Sequence, residues 1–227
     1  MNEENDDGVA PGASEALRLH ARYRGKVQTA PKVPVRGLRD FATWYTPGVA
    51  EPCLAIAAKT DDVYAYTNKG NTVAVVSDGS RVLGLGDIGP EAGLPVMEGK
   101  ALLFKLLGGV DAVPLCIRAR EASDIVRAVE MIEPTFGGIN LEDIAQPKCF
   151  RVLDEARRRV SIPVLHDDQQ GTATVLLAGL LAALEVAGKP IESIRIVLFG
   201  AGAANVATYR LLSAYGIDPR MIVACDS

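Results

Sequence analysis

Residues 194–226 constrain the fold of this chain more than any other stretch. Ile194-Arg195-Ile196-Val197-Leu198-Phe199 is an apolar, β-branched run that predicts a strand, and it ends in the turn Gly200-Ala201-Gly202-Ala203-Ala204-Asn205. A helix-period segment follows from Val206 to Tyr215, and Met221-Ile222-Val223-Ala224-Cys225 predicts a second strand that closes on Asp226. In that order, strand, glycine turn, helix and strand form the opening βαβ unit of a dinucleotide-binding sheet. Gly200 permits the tight turn out of the strand, and Gly202 lets the backbone come close to a pyrophosphate. The N–H groups opening the helix, at Ala203, Ala204 and Asn205, meet the phosphates with the positive end of the helix dipole. Asp226 is placed to accept the ribose hydroxyls of an adenosine half. Asn205 stands where the pattern has its third glycine, so a slightly wider approach of helix and strand is expected. The sequence ends at Ser227, one residue after Asp226. A doubly wound cofactor sheet needs about five or six strands, so that domain is expected to be incomplete here.

The rest of the chain alternates between helix and strand signals. Ser14 to about Arg24 predicts a first helix, followed by a loop with Pro31 and Pro34. Strands are predicted at Val63–Tyr66 and Val73–Ser77, with Asn68 to Asn71 as a turn, and Arg81–Gly86 reads as a short extended run. A helix over Gly99–Leu107 leads to a strand at Ala112–Ile117, and Ser123 is the expected N-cap of a helix reaching Met131. Gly138–Leu141 reads as a strand end and Lys148–Arg159 as a charged helix. Thr172–Val186 reads as a strongly apolar helix that Gly188-Lys189-Pro190 breaks. This alternation predicts an α/β protein. Its expected parts are an acidic, turn-rich and disordered leader over 1–13, a first α/β domain over 14–165 and a cofactor-binding unit over 166–227.

Composition removes several function classes. A chain of 227 residues that is 48% apolar can bury a substantial core. A net charge of −4 and a pI near 5.3 leave no electrostatic footprint for nucleic acid. No run approaches the roughly 18 consecutive apolar residues of a membrane helix; the longest, Val175 to Leu184, stops at Glu185. The first residues carry no apolar signal-peptide core. Cys53, Cys116, Cys149 and Cys225 are widely spaced without a CxxC pair, so buried free thiols in a reducing cytoplasm are expected.

Three acidic positions suggest chemistry. Glu142 and Asp143 follow Ile139-Asn140-Leu141, and Asp167-Asp168 precede the helix that starts near Gly171. Adjacent residues on a regular helix point apart, so Glu142 and Asp143 share a ligand only at an element end, which is where they lie. Three carboxylates at loop ends suit a hard divalent ion, Mg²⁺ or Mn²⁺, rather than zinc. The ordinary alternative makes Asp143 and Asp168 helix N-caps. Tyr45, in Trp44-Tyr45-Thr46-Pro47-Gly48-Val49, is either a phenol projecting into a cleft or a packed aromatic. Lys100 is expected to open a helix after Met97-Glu98-Gly99, where the dipole disfavours a cation and lowers its pKa; a solvated lysine is the alternative. Arg81 suits a bidentate carboxylate clamp or a surface ion pair. His20 and His166 show no ligand spacing and receive no role.

The segments WYTPGVAEPC, RVLGLGDIG, PVMEGKALLFK, NLEDI and HDDQQGTA, in this order and ahead of GAGAAN, closely resemble the malic enzyme family, most of all its short bacterial or archaeal type. The resemblance runs from about residue 15 to the end. It implies a malic enzyme N-terminal α/β domain followed by the start of a Rossmann-type NAD(P)-binding domain. The implied activity is oxidative decarboxylation of L-malate to pyruvate and CO₂, with reduction of NAD⁺ or NADP⁺ and with Mg²⁺ or Mn²⁺. Carried over by position, Glu142, Asp143 and Asp168 match the metal ligands, and Asp167 lies just behind them. Lys100 matches the general base, Tyr45 the general acid and Arg81 the arginine that binds a malate carboxylate. The resemblance further implies a cytoplasmic homodimer or homotetramer with no nucleic-acid or membrane partner, its contacts drawn from the first helices and the Trp44 region. Asp226 leans toward NAD because a carboxylate repels a 2′-phosphate. Two other readings stay open: another two-domain NAD-dependent dehydrogenase, of the amino-acid or folate type, and a non-catalytic dimerising or binding module. With only two strands of a cofactor sheet, these 227 residues alone are expected to turn over malate little or not at all.

Overall fold

In the computed structural model, which describes residues 12–226, two parallel sheets follow one another along the chain. Most of the leader expected over 1–13 lies outside the described residues. The first sheet holds β1 (Thr72–Ser77), β2 (Asp111–Cys116), β3 (Gly138–Leu141) and β4 (Val164–His166) in the order β2-β1-β3-β4. Every pairing in it is parallel. Parallel strands need crossovers, and here they are α5 (Gly89–Gly108), α6 (Ala122–Ile132) and α7 (Lys148–Arg159). Ala74 and Val76 of β1 and Ile139 and Leu141 of β3 share one core with Ile125, Val126 and Val129 of α6 and Val152 and Leu153 of α7. Val75 points to the other face, where α5 packs. Full burial of side chains such as Leu141 and Ile125 stabilises the fold by about 1.5–3 kcal/mol each.

The strand order matters for function. From the central β1 the chain crosses to β2 on one side and then to β3 on the other. The loops leaving β1 and β3 therefore diverge and open a crevice at their carboxyl ends. Asp78–Arg81 leave β1, Glu142 and Asp143 leave β3, and Asp167 and Asp168 leave β4, so all three loops reach the same end of the sheet.

The second sheet has two parallel strands, β5 (Ile196–Phe199) and β6 (Ile222–Cys225), joined through α9 (Ala203–Tyr215). Its core is small, with Leu198, Leu212, Ile217 and Ile222 buried, and α8 (Thr172–Ala187) packs on α9. Val197, Phe199 and Val223 of its strands are exposed. The stretch Asp167–Ala187 is long and apolar enough to cross a membrane by length and composition alone. It packs on α9 and carries two of the site's carboxylates at its amino end. Ahead of the first sheet, α1 (Glu15–Tyr23), α2 (Phe41–Trp44), α3 (Ala50–Ala58) and α4 (Val63–Tyr66) bury none of their residues. Leu17, Tyr23, Leu38, Trp44, Leu54 and Tyr66 all stand exposed there.

Several local expectations are corrected. Val63–Tyr66 is a helical turn and not a strand: Asp61 and Asp62 precede it in a 3₁₀ turn, and the described sheets offer it no partner. Arg81–Gly86 is a tight loop closed by a Val82–Gly86 bridge, with Leu83 at φ 48° and Gly86 at φ 79°. The helix expected from Gly99 starts ten residues earlier, at Gly89, because Pro90 sits in the first turn where no N–H is needed, and it continues through Pro95. Asp124, not Ser123, closes the start of α6 by accepting the N–H groups of Arg120 and Glu121 at 3.1 and 3.0 Å. Of the four cysteines only Cys149 is buried, while Cys53 and Cys225 are exposed; all four are free thiols.

Candidate active site

The crevice at the strand ends is a cleft of about 850 Å³. One wall carries Arg81, Lys100, Glu142, Asp143, Asp167 and Asp168, and the facing wall carries Gly202, Ala203 and Ala204. Glu142, Asp143 and Asp168 each bring a carboxylate oxygen within 4.8 Å of the others. Neither aspartate is a helix cap, because Pro147 precedes α7 and Gly171 precedes α8. Asp143 holds φ at 53°, a left-handed conformation uncommon outside glycine, and so turns its carboxylate off the strand end. The loops are tied together: the Arg81 N–H donates to the Asp143 carbonyl at 3.1 Å, and the Asp143 N–H donates to Asp168 Oδ2 at 3.0 Å.

Lys100 corrects its expectation. It lies in the middle of α5 rather than at a helix start, and its pKa is raised, not lowered. Burial pulls the ammonium down, but the hydrogen bond to Asp167 Oδ2 at 2.6 Å and the ion pair with Glu142 Oε1 at 3.0 Å outweigh it. Glu142 is pushed up to about 7, chiefly by burial, against the pull of Lys100 and of the Asn140 amide that donates to Oε2 at 2.8 Å. Asp143 is pushed up to about 6 by burial and by the neighbouring Asp168.

The charge balance states what the cleft lacks. Four carboxylates face two cations, Lys100 and Arg81, so full ionisation would leave two excess negative charges in a recess where Glu142 and Asp143 are buried, and both are accordingly harder to ionise. Asp143 Oδ2 is buried with no hydrogen-bond partner. An unpaired buried oxygen in a cluster of oxygen donors fits a hard divalent cation, which takes carboxylate ligands and supplies the missing charge.

The glycine turn closes the other wall. Gly200 sits at φ 96°, a region only glycine enters freely, and Gly202 precedes α9 in an extended conformation. Asn205 spans the strand end: its amide donates to the carbonyls of Phe199 and Gly200, both at 2.8 Å. Asp226 Oδ2 accepts the Ala201 N–H at 3.1 Å, so this carboxylate reaches into the turn. A Cβ on Gly202 would meet Gln146 Oε1 at 3.4 Å, which shows how near the two walls come.

Among the expected site residues, the structure brings together Arg81, Lys100, Glu142, Asp143, Asp167, Asp168, Gly202, Ala203 and Ala204. Tyr45 does not line the cleft; it ends α2 with 67% of its surface exposed. Arg81 donates to the Leu83 carbonyl at 2.8 Å across its own loop. Other contributors were not visible in the sequence. Lys148 pairs with the buried Asp78, and Ser80 Oγ accepts the Ala145 N–H at 2.9 Å, so the loop after β1 is clamped to the loop after β3. A Cβ on Gly171 would overlap Oδ1 of Asp167, whose Oδ2 accepts from Lys100, so a larger residue there has to displace that carboxylate. Only the Asp78-Gly79 turn signal after a strand hinted at any of these.

Comparison with known proteins bears on the family of the chain. Residues 24–123 match the family model of the malic enzyme N-terminal domain, and residues 169–216 match that of the malic enzyme NAD binding domain. The chain is 54% identical over 213 residues to a bifunctional malic/malolactic enzyme of Bacillus subtilis, covering 94% of this chain and 52% of that one. The crystal structure of malic enzyme from Pyrococcus horikoshii superposes with a TM-score of 0.88 at 58% identity, covering 89% of this chain and 47% of that one. NAD-dependent malic enzyme from Thermotoga maritima gives a TM-score of 0.90 at 47% identity, with 95% and 56% covered. The chain thus spans about half the length of such relatives. With both domain models matched in order and the fold shared with solved malic enzymes, this chain belongs to the malic enzyme family.

Proposed function

We propose that the chain carries the metal- and substrate-binding half, and the opening of the cofactor half, of an enzyme that oxidises and decarboxylates L-malate to pyruvate and CO₂ with NAD⁺ or NADP⁺. The observation that carries this reading is the single cleft in which three clustered carboxylates and Lys100 face a glycine turn. We place the division between the halves at 165/166; two separate buried cores support it. Glu142, Asp143 and Asp168 would hold Mg²⁺ or Mn²⁺, and Gly200, Gly202, the N–H groups at Ala203, Ala204 and Asn205, and the Asp226 carboxylate would hold the dinucleotide. When bound, the ion supplies Lewis acidity at the C2 oxygen and the nicotinamide supplies a hydride acceptor.

The chain's own groups do the rest. Arg81 orients malate through a carboxylate. Lys100 takes the C2 hydroxyl proton as hydride leaves C2; a cation on Glu142 offsets one of the two carboxylates that keep this lysine protonated. Asp167 holds the ammonium in place. The C3–carboxylate bond then breaks, CO₂ leaves, the electron pair forms the enolate of pyruvate, and Tyr45 returns a proton to C3. Tyr45 stands outside the cleft of a single chain, next to a helix that buries none of its residues and leaves Phe41 and Trp44 exposed. We therefore assign the Trp44 region to a contact between two copies in a homodimer, which seats this segment and brings the phenol to a site. Asp226 favours NAD over NADP.

The test is NAD(P)H formation from malate by the native protein with Mn²⁺ and after chelation. Turnover that a chelator abolishes supports the reading, and chelator-insensitive oxidation of another substrate would point to an amino-acid or folate dehydrogenase. A protein of residues 1–227 alone is expected to lack turnover, since it supplies two strands of the cofactor sheet.

A further inference from the structure

His166 ends β4 with no exposed surface, and neither ring nitrogen has a hydrogen-bond partner. A ring sealed from water in this way must place each N–H it carries against an acceptor within the protein. A buried N–H without an acceptor is costly and rare, and this one has an acceptor close by. Nδ1 lies 3.7 Å from Asp168 Oδ2, just beyond hydrogen-bond range. In the parallel ladder His166 sits beside Leu141, whose next two residues are Glu142 and Asp143, so the ring stands directly behind the carboxylate cluster. The His166 N–H of the main chain donates to Gln170 Oε1 at 2.9 Å, which folds the 167–171 turn back over the strand end.

We infer that His166 is the positioning residue for Asp168, donating its Nδ1 proton to Oδ2 so that Oδ1 is left for the divalent ion. Two donors then converge on Oδ2, since the Asp143 N–H already reaches it at 3.0 Å. The same bond fixes the imidazole tautomer and gives the buried ring its one partner. Carboxylate ligands held by an outer hydrogen bond bind their metal more tightly, and loss of such a bond typically costs about 10–100-fold in metal affinity. The inference rests on the proposed metal reading of the cleft.

Its test is Mn²⁺ binding to the native protein, read by electron paramagnetic resonance in wild type, His166→Asn and His166→Gln. The asparagine amide occupies the place of Nδ1, whereas the glutamine amide reaches toward Nε2. Affinity is expected to stay within about threefold of wild type for His166→Asn and to fall about 10–100-fold for His166→Gln. Equal affinity in the two variants, whether kept or lost, overturns the inference while the metal reading stands. No Mn²⁺ binding by wild type overturns both. A readout that needs no variant is the imidazole ¹⁵N spectrum of the Mg²⁺-loaded native protein. Nδ1 should carry the proton, and a ring protonated only on Nε2 contradicts the inference even if a variant fails to fold.

Discussion

The two parallel sheets of this chain share one construction, strand–helix–strand with the turn at the carboxyl end, but they differ in cover. In the first, Ala74, Val75, Val76, Ile139 and Leu141 of the two central strands are at most 2% exposed, with helices packed over them. In the second, Val197 and Phe199 stand 65% and 82% exposed on strands of equally apolar sequence. Burial, not strand propensity, is what separates a rigid platform from a soft one. The clustered carboxylates of Glu142, Asp143 and Asp168 leave the ends of strands of the covered sheet, and Lys100 reaches them from α5. The uncovered one contributes a backbone turn.

This contrast can be broken or sharpened by experiment. Lys100→Met in the native protein is expected to lower malate turnover about 100- to 10,000-fold with the fold intact by circular dichroism; near-normal turnover would remove the lysine from the mechanism. Leu141→Ala, in the covered sheet, should cost about 2–5 kcal/mol in denaturant unfolding. Gly171→Ala forces the Asp167 carboxylate away from Lys100, so steady-state kinetics should show turnover reduced by up to about 100-fold and little change in unfolding.

The metal-free protein should respond to pH through Glu142 and Asp143. Their folded-state pKa values are raised to about 7 and about 6, so folding favours their protonated forms. This contribution is present below their ordinary values and is lost as pH rises through about 6 to 7. Stability by urea titration should therefore fall between pH 5 and 7.5 by on the order of 1–3 kcal/mol, and Mg²⁺ should restore it at the upper end. A metal-free protein that gains stability over that range would contradict the assignment. Val197→Ala, on the uncovered sheet, should change stability by no more than about 0.5 kcal/mol. A larger loss would mean that its face is covered in the native protein.

The sequence made some of this legible for physical reasons. The Lys148–Arg159 helix is found with the expected bounds because its apolar positions recur at helical spacing and its last turn is basic. The glycine turn was readable because Gly200 needs a positive φ. Val63–Tyr66 misled because alternating β-branched and aromatic residues mimic a strand, while strand pairing is a long-range fact. The start of α5 was hidden by Pro90, Gly93 and Pro95, which read as breakers locally; Gly93 is instead packed against Val82 and Gly79. Lys100 misled in turn, since its surroundings come from residues 42 and 67 positions away. His166 shows no ligand spacing in sequence, and its place beside Leu141 comes from strand pairing.

Mn²⁺ titration of the native protein and its Asp143→Asn variant tests the proposed cation site at Glu142, Asp143 and Asp168 most directly. Asparagine keeps the shape of the side chain and removes the charge that the buried, unpaired Oδ2 offers to an ion. The account predicts tight Mn²⁺ binding by wild type and a loss of at least about tenfold in the variant. Equal Mn²⁺ affinity in the two proteins would contradict it.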